Sequence, residues 1–297
     1  MIKQLYSQLL KVKNKKSYLY VYRSIKIFLN LFYPIYCRFN KSPKEGMRYS
    51  KVIVSLTSFP ARIDKVWIVI ETLLRQTYRP EKIILWLADS QFEGIDKLPV
   101  KLLDLRARGL EIRFCDDLRS HKKYYYTMKE YPDYIVITVD DDTFYPENLV
   151  ENLLNTYKRS PNTICCNLAH LITTEEGEIN PYKQWNSGAD GYDTPSDYIV
   201  PIGCEGILYP PGCLNESVFD KQQISELCPY ADDLWLKAMA TLNNVKSVKC
   251  NSISIAYVNI ISTNKYSLNS ININQDMNDK QLHNILASYP QLYEKWK

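Results

Sequence analysis

Histidine is almost missing from this chain, with three in 297 residues, and no two of its eight cysteines stand at CxxC spacing. Zinc-finger ligand sets are therefore excluded. Glycine is scarce as well, with nine. No run of 18 or more uninterrupted apolar residues occurs, so a membrane-spanning helix is not expected. A cleavable signal peptide is not expected either. Arg23 and Lys26 interrupt the pattern, and no small-residue cleavage site follows the apolar patch at 27–36. Acids are nearly absent from residues 1–48, where Glu45 stands against eleven Lys and Arg. That segment carries +10, the whole chain +4, and the remainder therefore −6. Several cysteines fall in apolar runs, where a thiol acts as a small hydrophobe, so they read as reduced and intracellular.

What is present is organised around residues 134–149, YIVITVDDDTFYPENL. Tyr134 to Val139 reads as a strand buried on both faces. It stops on Asp140, Asp141 and Asp142. Three carboxylates side by side repel unless a cation lies among them. Oxygen-only donors suit Mg²⁺ or Mn²⁺ shared with substrate phosphates, and strand carboxyl ends are where open α/β sheets bind ligands. An amphipathic helix follows, with Leu149, Val150, Leu153, Leu154 and Tyr157 on one side.

Before this stretch, strands alternate with helices. KVIVSL at 51–56 reads as a strand that ends in TSFPAR, and a helix carries Ile63, Val66, Trp67, Ile70, Leu73 and Leu74. A second strand, Lys82 to Leu87, ends at Asp89. Residues 97–110 read as helical, Leu110 to Phe114 as a third strand, and SHKKYYYTMKEYPD as a helix. Parallel pairing with right-handed crossovers is the expected topology. Beyond the acids, Thr163 to Ile172 reads as one strand-like run containing His170. Residues 173–198 lose all periodicity and hold Tyr182, Trp185 and Tyr192, either to stack on sugar rings or as a loop held by its own Trp. Pro201 to Gly212 reads as a short strand among glycines. YADDLWLKAMATL reads as a helix with Asp232 and Asp233 in its first turn. Residues 246–259 read as one or two strands, and a last helix carries Asn278 and Gln281 at capping-box spacing.

The ordered set SFPARI, QTYRPEKIILWLADS, SHKKY and YIVITVDDD resembles GT-A nucleotide-sugar glycosyltransferases of the family-2-like type, over roughly residues 50–245, in the branch that makes bacterial surface polysaccharides. The turn TSFPAR and the lone Asp89 depart from that family's usual PxxN-like turn and Asp-Asp pair. The resemblance implies a mixed, mostly parallel α/β sheet flanked by helices. It implies a catalytic domain at 49–250, divided into a nucleotide-sugar half (49–145) and an acceptor half (146–250). A basic helical extension (1–48) and a C-terminal strand and helix extension (251–297) complete the organisation. By the same resemblance Thr57, Phe59, Pro60, Arg62, Asp89, Lys122, Asp140 and Asp141 face the donor. Asp140 and Asp142 bind Mn²⁺ or Mg²⁺. Asp233, with Asp232 as the alternative, is the base that deprotonates an acceptor hydroxyl in an inverting displacement. Trp185, Gly203, Glu205 and Gly206 are assigned to the acceptor.

The expected partners are a nucleotide-sugar, UDP-linked by resemblance, and a glycan or lipid-linked glycan. Residues 1–48 either lie on an anionic membrane surface or pack on the domain. Nucleic acid is not expected, because the acidic body opposes it. The expected location is cytoplasmic, at the inner face of the cell membrane if the first reading holds. Competing classes are a sugar nucleotidyltransferase and a non-catalytic carbohydrate- or membrane-binding protein on the same scaffold. The first ordinarily has a Gly-rich basic loop after its first strand, and TSFPAR has no Gly.

Overall fold

The computed structural model describes residues 1–40, 48–250, 256–261 and 276–297. Parts of the expected 1–48 and 251–297 extensions, and residues 251–255 of the strand read at 246–259, lie outside the described residues. Two helices open the chain, α1 (Ile2–Val12) and α2 (Tyr18–Phe39). Then come β1 (Arg48–Thr57), α3 (Ile63–Leu73), β2 (Arg79–Ala88), the single turn α4 (Val100–Leu103), β3 (Leu110–Cys115), α5 (Lys122–Glu130), β4 (Ile135–Thr138) and α6 (Leu149–Arg159).

Two strands follow, β5 (Ile164–Cys166) and β6 (Ala169–Leu171), then the short β7 (Thr174–Glu175), β8 (Glu178–Ile179) and β9 (Asn186–Ser187). Next are β10 (Ile199–Pro201), β11 (Ile207–Tyr209), α7 (Lys221–Leu227), α8 (Asp232–Leu242) and β12 (Ser247–Lys249). Two helices close the chain, α9 (Met277–Ser288) and α10 (Tyr293–Trp296).

Among the described residues a seven-stranded sheet runs β12-β5-β11-β4-β1-β2-β3, parallel except for β11. This is the expected mixed, mostly parallel α/β sheet. Val52, Ile53, Val54 and Leu56 of β1 are all buried, as a central strand covered on both faces requires. Val66, Val69, Ile70 and Leu73 recur at helical spacing on α3 and are likewise buried. Each such side chain contributes about 1.5–3 kcal/mol by leaving water.

Four expectations need correction. Residues 163–172 are not one strand: β5 lies in the main sheet, whereas β6 pairs with β10 and β9 in a second sheet. Asn167 makes the break, its backbone N–H donating to the Gly206 carbonyl and its side chain to the Glu205 carbonyl. The helix read at 97–110 shrinks to α4 and a 3₁₀ stretch, Asp104–Arg108, that stops at Gly109 with φ +113°. The short strand read within 201–212 forms as β11, but the residues before it are the end of β10 and a 3₁₀ turn, Gly203–Glu205. The capping box at Asn278 does not form. Asn278 lies inside α9, and Gln281 instead accepts from the Tyr230 N–H and donates to the Met277 carbonyl.

Candidate active site

The chain leaves the sheet after β4, and its three acids separate at once. Asp140 stays half-exposed, with its carboxylate 2.8 Å from the Lys123 ammonium. Asp141 is buried and doubly engaged: Arg62 Nη1 donates to Oδ1 at 2.6 Å and Ser58 Oγ to Oδ2 at 2.5 Å. Asp142 lies 3.1 Å from the same guanidinium nitrogen and accepts from Thr143 Oγ1 and Asn259 Nδ2. Burial pushes Asp142 up to about 6 although Arg62 opposes the shift. Burial also raises Asp141, against Arg62 and Ser58.

The first turn of α5 supplies the cation opposite. Ser55 Oγ on β1 donates to the Lys123 carbonyl at 2.5 Å and fixes that turn over the sheet. Lys123 Nζ then lies 2.8 Å from Asp140 and 3.0 Å from Asp232 Oδ2. Burial alone would lower this lysine, but Asp140, Asp232 and Asp233 hold it well above its usual value. Lys122, expected at a diphosphate, points to Asp117 at 2.5 Å. Neighbouring helix residues are about 100° apart, and docking of α5 decides which lysine enters. His121 is buried just before them, its Nε2 2.8 Å from the Cys228 carbonyl and Nδ1 3.0 Å from Tyr124 Oη. It ties the start of α5 to the segment leading into α8.

Asp232 and Asp233 open α8, whose N-cap, Ala231, has no capping side chain. Asp233 Oδ2 accepts from the Gly203 N–H at 3.1 Å, outside its own helix, so the pair does more than complement the helix dipole. Asp233 Oδ1 is buried with no hydrogen-bond partner among the described residues. Burial, with Asp232 beside it, lifts Asp233 to about 8. Burial would raise Asp232, but Lys123, His121 and Ser120 together keep that acid below its usual range. A Cβ on Gly203 would lie 3.1 Å from Asp233 Oδ1, 3.1 Å from Lys123 Nζ and 3.8 Å from Asp140 Oδ1. The missing side chain thus leaves one small space faced by acids from both halves of the chain.

Other candidates lie around this centre. Phe59 stacks on the Arg62 guanidinium, Pro60 is exposed, and Thr57 Oγ1 donates to the Trp86 carbonyl. Asp89 is exposed at the carboxyl end of β2. Glu205 is buried, accepts from the Tyr257 N–H at 3.1 Å and is pushed up by burial to about 8. Gly206 adopts φ +90°, and a Cβ there would lie 3.1 Å from Leu149 Cδ1. Trp185 is buried within its own loop, where it packs on Tyr182 and donates to the Asn180 carbonyl at 2.8 Å. A cavity of about 280 Å³ near Thr241 and Lys295 lies toward the other end of α8 and contains none of these acids. Sequence reasoning missed Ser58 and Asn259. Ser58 had a signal, since it follows the end of β1 directly, whereas Asn259 had none.

Five carboxylates here meet two cationic side chains, Arg62 and Lys123. That deficit, and the upward shifts of Asp142 and Asp233, fit a divalent cation among oxygen donors. Among the described residues no three acid, His or Cys side chains form a ready-made cage. A cation shared with phosphates needs fewer protein ligands.

The fold and site define an α/β protein with an acid cluster at the carboxyl end of a mostly parallel sheet. No protein-family model and no curated protein matches the chain. Among solved structures it is similar to a mannosyltransferase, PcManGT from Pyrobaculum calidifontis in complex with GDP-Man and Mn²⁺ (TM-score 0.49, 12% identity, covering 98% of this chain and 76% of that one). It is also similar to CMP:2-keto-3-deoxy-manno-octonic acid synthetase complexed with CTP (TM-score 0.39, 12% identity, 71% and 91%). At that identity and with TM-scores under 0.5, neither determines this chain's substrate.

Proposed function

We propose that this chain is a divalent-cation-dependent, inverting glycosyltransferase of the GT-A type. It moves a sugar from a nucleotide-sugar, UDP-linked by the resemblance of its motifs, to a hydroxyl of a glycan or lipid-linked glycan in surface-polysaccharide synthesis. The observation that supports this best is the Lys123 bridge: one ammonium lies 2.8 Å from Asp140 after β4 and 3.0 Å from Asp232 at the head of α8. Donor-side and acceptor-side acids therefore face the same space beside Gly203.

In this reading Asp233 takes the proton of the acceptor hydroxyl as that oxygen attacks the anomeric carbon. The bond to the nucleoside diphosphate breaks on the opposite face, so configuration inverts. A base whose pKa lies near neutrality suits that late proton transfer. Asp232 and Lys123 hold one another and orient the centre. Asp140 and Asp142 would hold Mg²⁺ or Mn²⁺, which when bound neutralises the departing diphosphate. Thr57, Phe59, Pro60 and Asp89 line the sheet edge where the nucleoside would lie, and Arg62 holds Asp141 and Asp142 in place.

The test is a panel of nucleotide-sugars scored by thermal stabilisation with and without Mn²⁺, followed by product analysis. Stabilisation that needs both donor and metal, with release of the nucleoside diphosphate, is the expected result. Release of pyrophosphate would place the chain among nucleotidyltransferases. Absence of stabilisation by every donor would end the enzymatic reading.

A further inference from the structure

The two readings of residues 1–48, membrane surface and packing on the domain, are compatible, because α2 has two apolar faces. Ile25, Leu29, Tyr33 and Cys37 recur every four residues and are buried against the body. The opposite face carries Tyr20, Ile27, Phe28, Leu31, Ile35 and Phe39, all exposed, with Leu31 at 60% and Phe39 at 77%. Of the fourteen large hydrophobic residues exposed among the described residues, ten lie within residues 1–40. Scattered exposed hydrophobics need no explanation, but a continuous stripe on one helix does.

The charge around that stripe is of one sign. Residues 1–40 hold eight Lys and Arg and no Asp or Glu. Arg23 and Arg38 are exposed on α2 itself, and Lys3, Lys11, Lys15 and Lys16 are exposed in the segment before it. No described helix is long and apolar enough to cross a membrane. An aromatic and aliphatic stripe on a segment whose charged side chains are all basic is the pattern of a helix that lies in the plane of an anionic interface.

We propose that the outward face of α2 docks this protein onto an anionic lipid bilayer. A helix of 22 residues presents a contact about 33 Å long. A second copy of the same face is the poorer occupant, since pairing would bring two sets of eight positive charges together. The contact also reaches toward the acid cluster. Asn30 on α2 donates to the Asn259 carbonyl and accepts from the Ile261 N–H, and the Asn259 side chain bonds Asp142. Docking would therefore seat the protein close to a lipid-borne acceptor, although lipid binding itself does not rest on the transferase reading.

Co-sedimentation of the full chain with phosphatidylcholine vesicles, with and without phosphatidylglycerol, tests this directly. Binding should be at least roughly tenfold stronger to the anionic vesicles and should weaken as salt rises above about 0.1 M. The double variant Leu31→Glu, Ile35→Glu should bind at least roughly tenfold more weakly with an unchanged circular-dichroism spectrum and Tm, since both side chains face solvent. Equal partition of the variant and the parent protein would overturn the proposal. So would a concentration-dependent dimer, seen by ultracentrifugation and dissolved by the same variant, in a protein that ignores vesicles.

Discussion

Asp233 is set apart from the other four acids by what it does not touch. Asp140 and Asp232 share Lys123, and Asp141 and Asp142 share Arg62. Among the described residues Asp233 receives only the Gly203 N–H, and its second oxygen has no hydrogen-bond partner there. Replacing it with Asn keeps the size and the hydrogen bond from Gly203 but removes the basic oxygen. Asp233→Asn should therefore lower turnover about 10²–10⁴-fold while leaving donor binding in the presence of metal intact. A pH profile gives a second readout. In the proposed role as base Asp233 must be ionised, and burial pushes its pKa up to about 8. In the free protein kcat/KM should then fall as pH drops below about 8 and level off above it. The Asn variant should lack that limb, and a limb of unchanged position in Asp233→Asn would assign the titration to another group.

At the scale of elements, the strands and helices with a clean apolar period could be read directly from the chain. β1, β2 and β4 are runs of buried β-branched and aliphatic residues, and α3, α6 and α8 carry apolar stripes. The acids at the end of β4 and the start of α8 could be read for the same reason, because an acid that ends a buried run is conspicuous. The choice of Lys123 over Lys122 could not, since it depends on the Ser55 contact that docks α5 across β1. Nor could the switch between sheets at Asn167, where neither Gly nor Pro marks a turn. His121 shows how such elements are tied. Its ring is buried between α5 and the Cys228 carbonyl, and burial pushes its pKa down to about 4 from the usual 6.5. The fold thus favours the neutral ring. Its contribution is complete above pH 6.5 and is lost as pH falls through 6.5 toward 4, at a cost of about 3 kcal/mol. In urea titrations the stability gap between the parent and His121→Gln should narrow over that window; a constant gap would mean that the ring is not buried neutral.

The interior of α8 makes a second prediction at this scale. Lys237 is buried, its ammonium has no hydrogen-bond partner among the described residues, and burial lowers its pKa to about 8. Lys237→Met should stabilise the fold by roughly 1–3 kcal/mol at neutral pH. The gain should shrink as pH rises from about 8 to about 10.5 and level off above that, where the amine is neutral in the folded and the unfolded chain alike. Chemical denaturation at two pH values decides it.

The whole molecule has two main cores with the acid cluster at their seam. One joins the amino-terminal helices to β1, β2 and α6, so that Ile2, Leu9, Leu29 and Tyr33 pack in the same cluster as Val54, Leu85 and Leu153. The other joins α5, β10 and α8 to the end of the chain, so that Tyr124, Val200 and Trp235 cluster with Leu282, Ile285 and Trp296. Tyr6 shows why the amino-terminal helices matter to the site as well as to any surface beneath them. Its buried hydroxyl donates to the Phe144 carbonyl at 2.7 Å and accepts from the Val258 N–H at 2.8 Å. It thereby clips the 256–261 segment to the chain just past the aspartate trio, and Asn259 of that segment reaches Asp142. Tyr6→Phe leaves a buried carbonyl and a buried N–H unpaired, so it should cost about 1–3 kcal/mol. It should also weaken the stabilisation that Mn²⁺ and donor confer, because Asp142 loses part of its support. The comparison is with Val69→Ala, a buried truncation on α3 outside the site. If both variants lose the same stability and keep the same response to metal and donor, the amino-terminal clip is structural only. A selective loss of that response in Tyr6→Phe is the expected result.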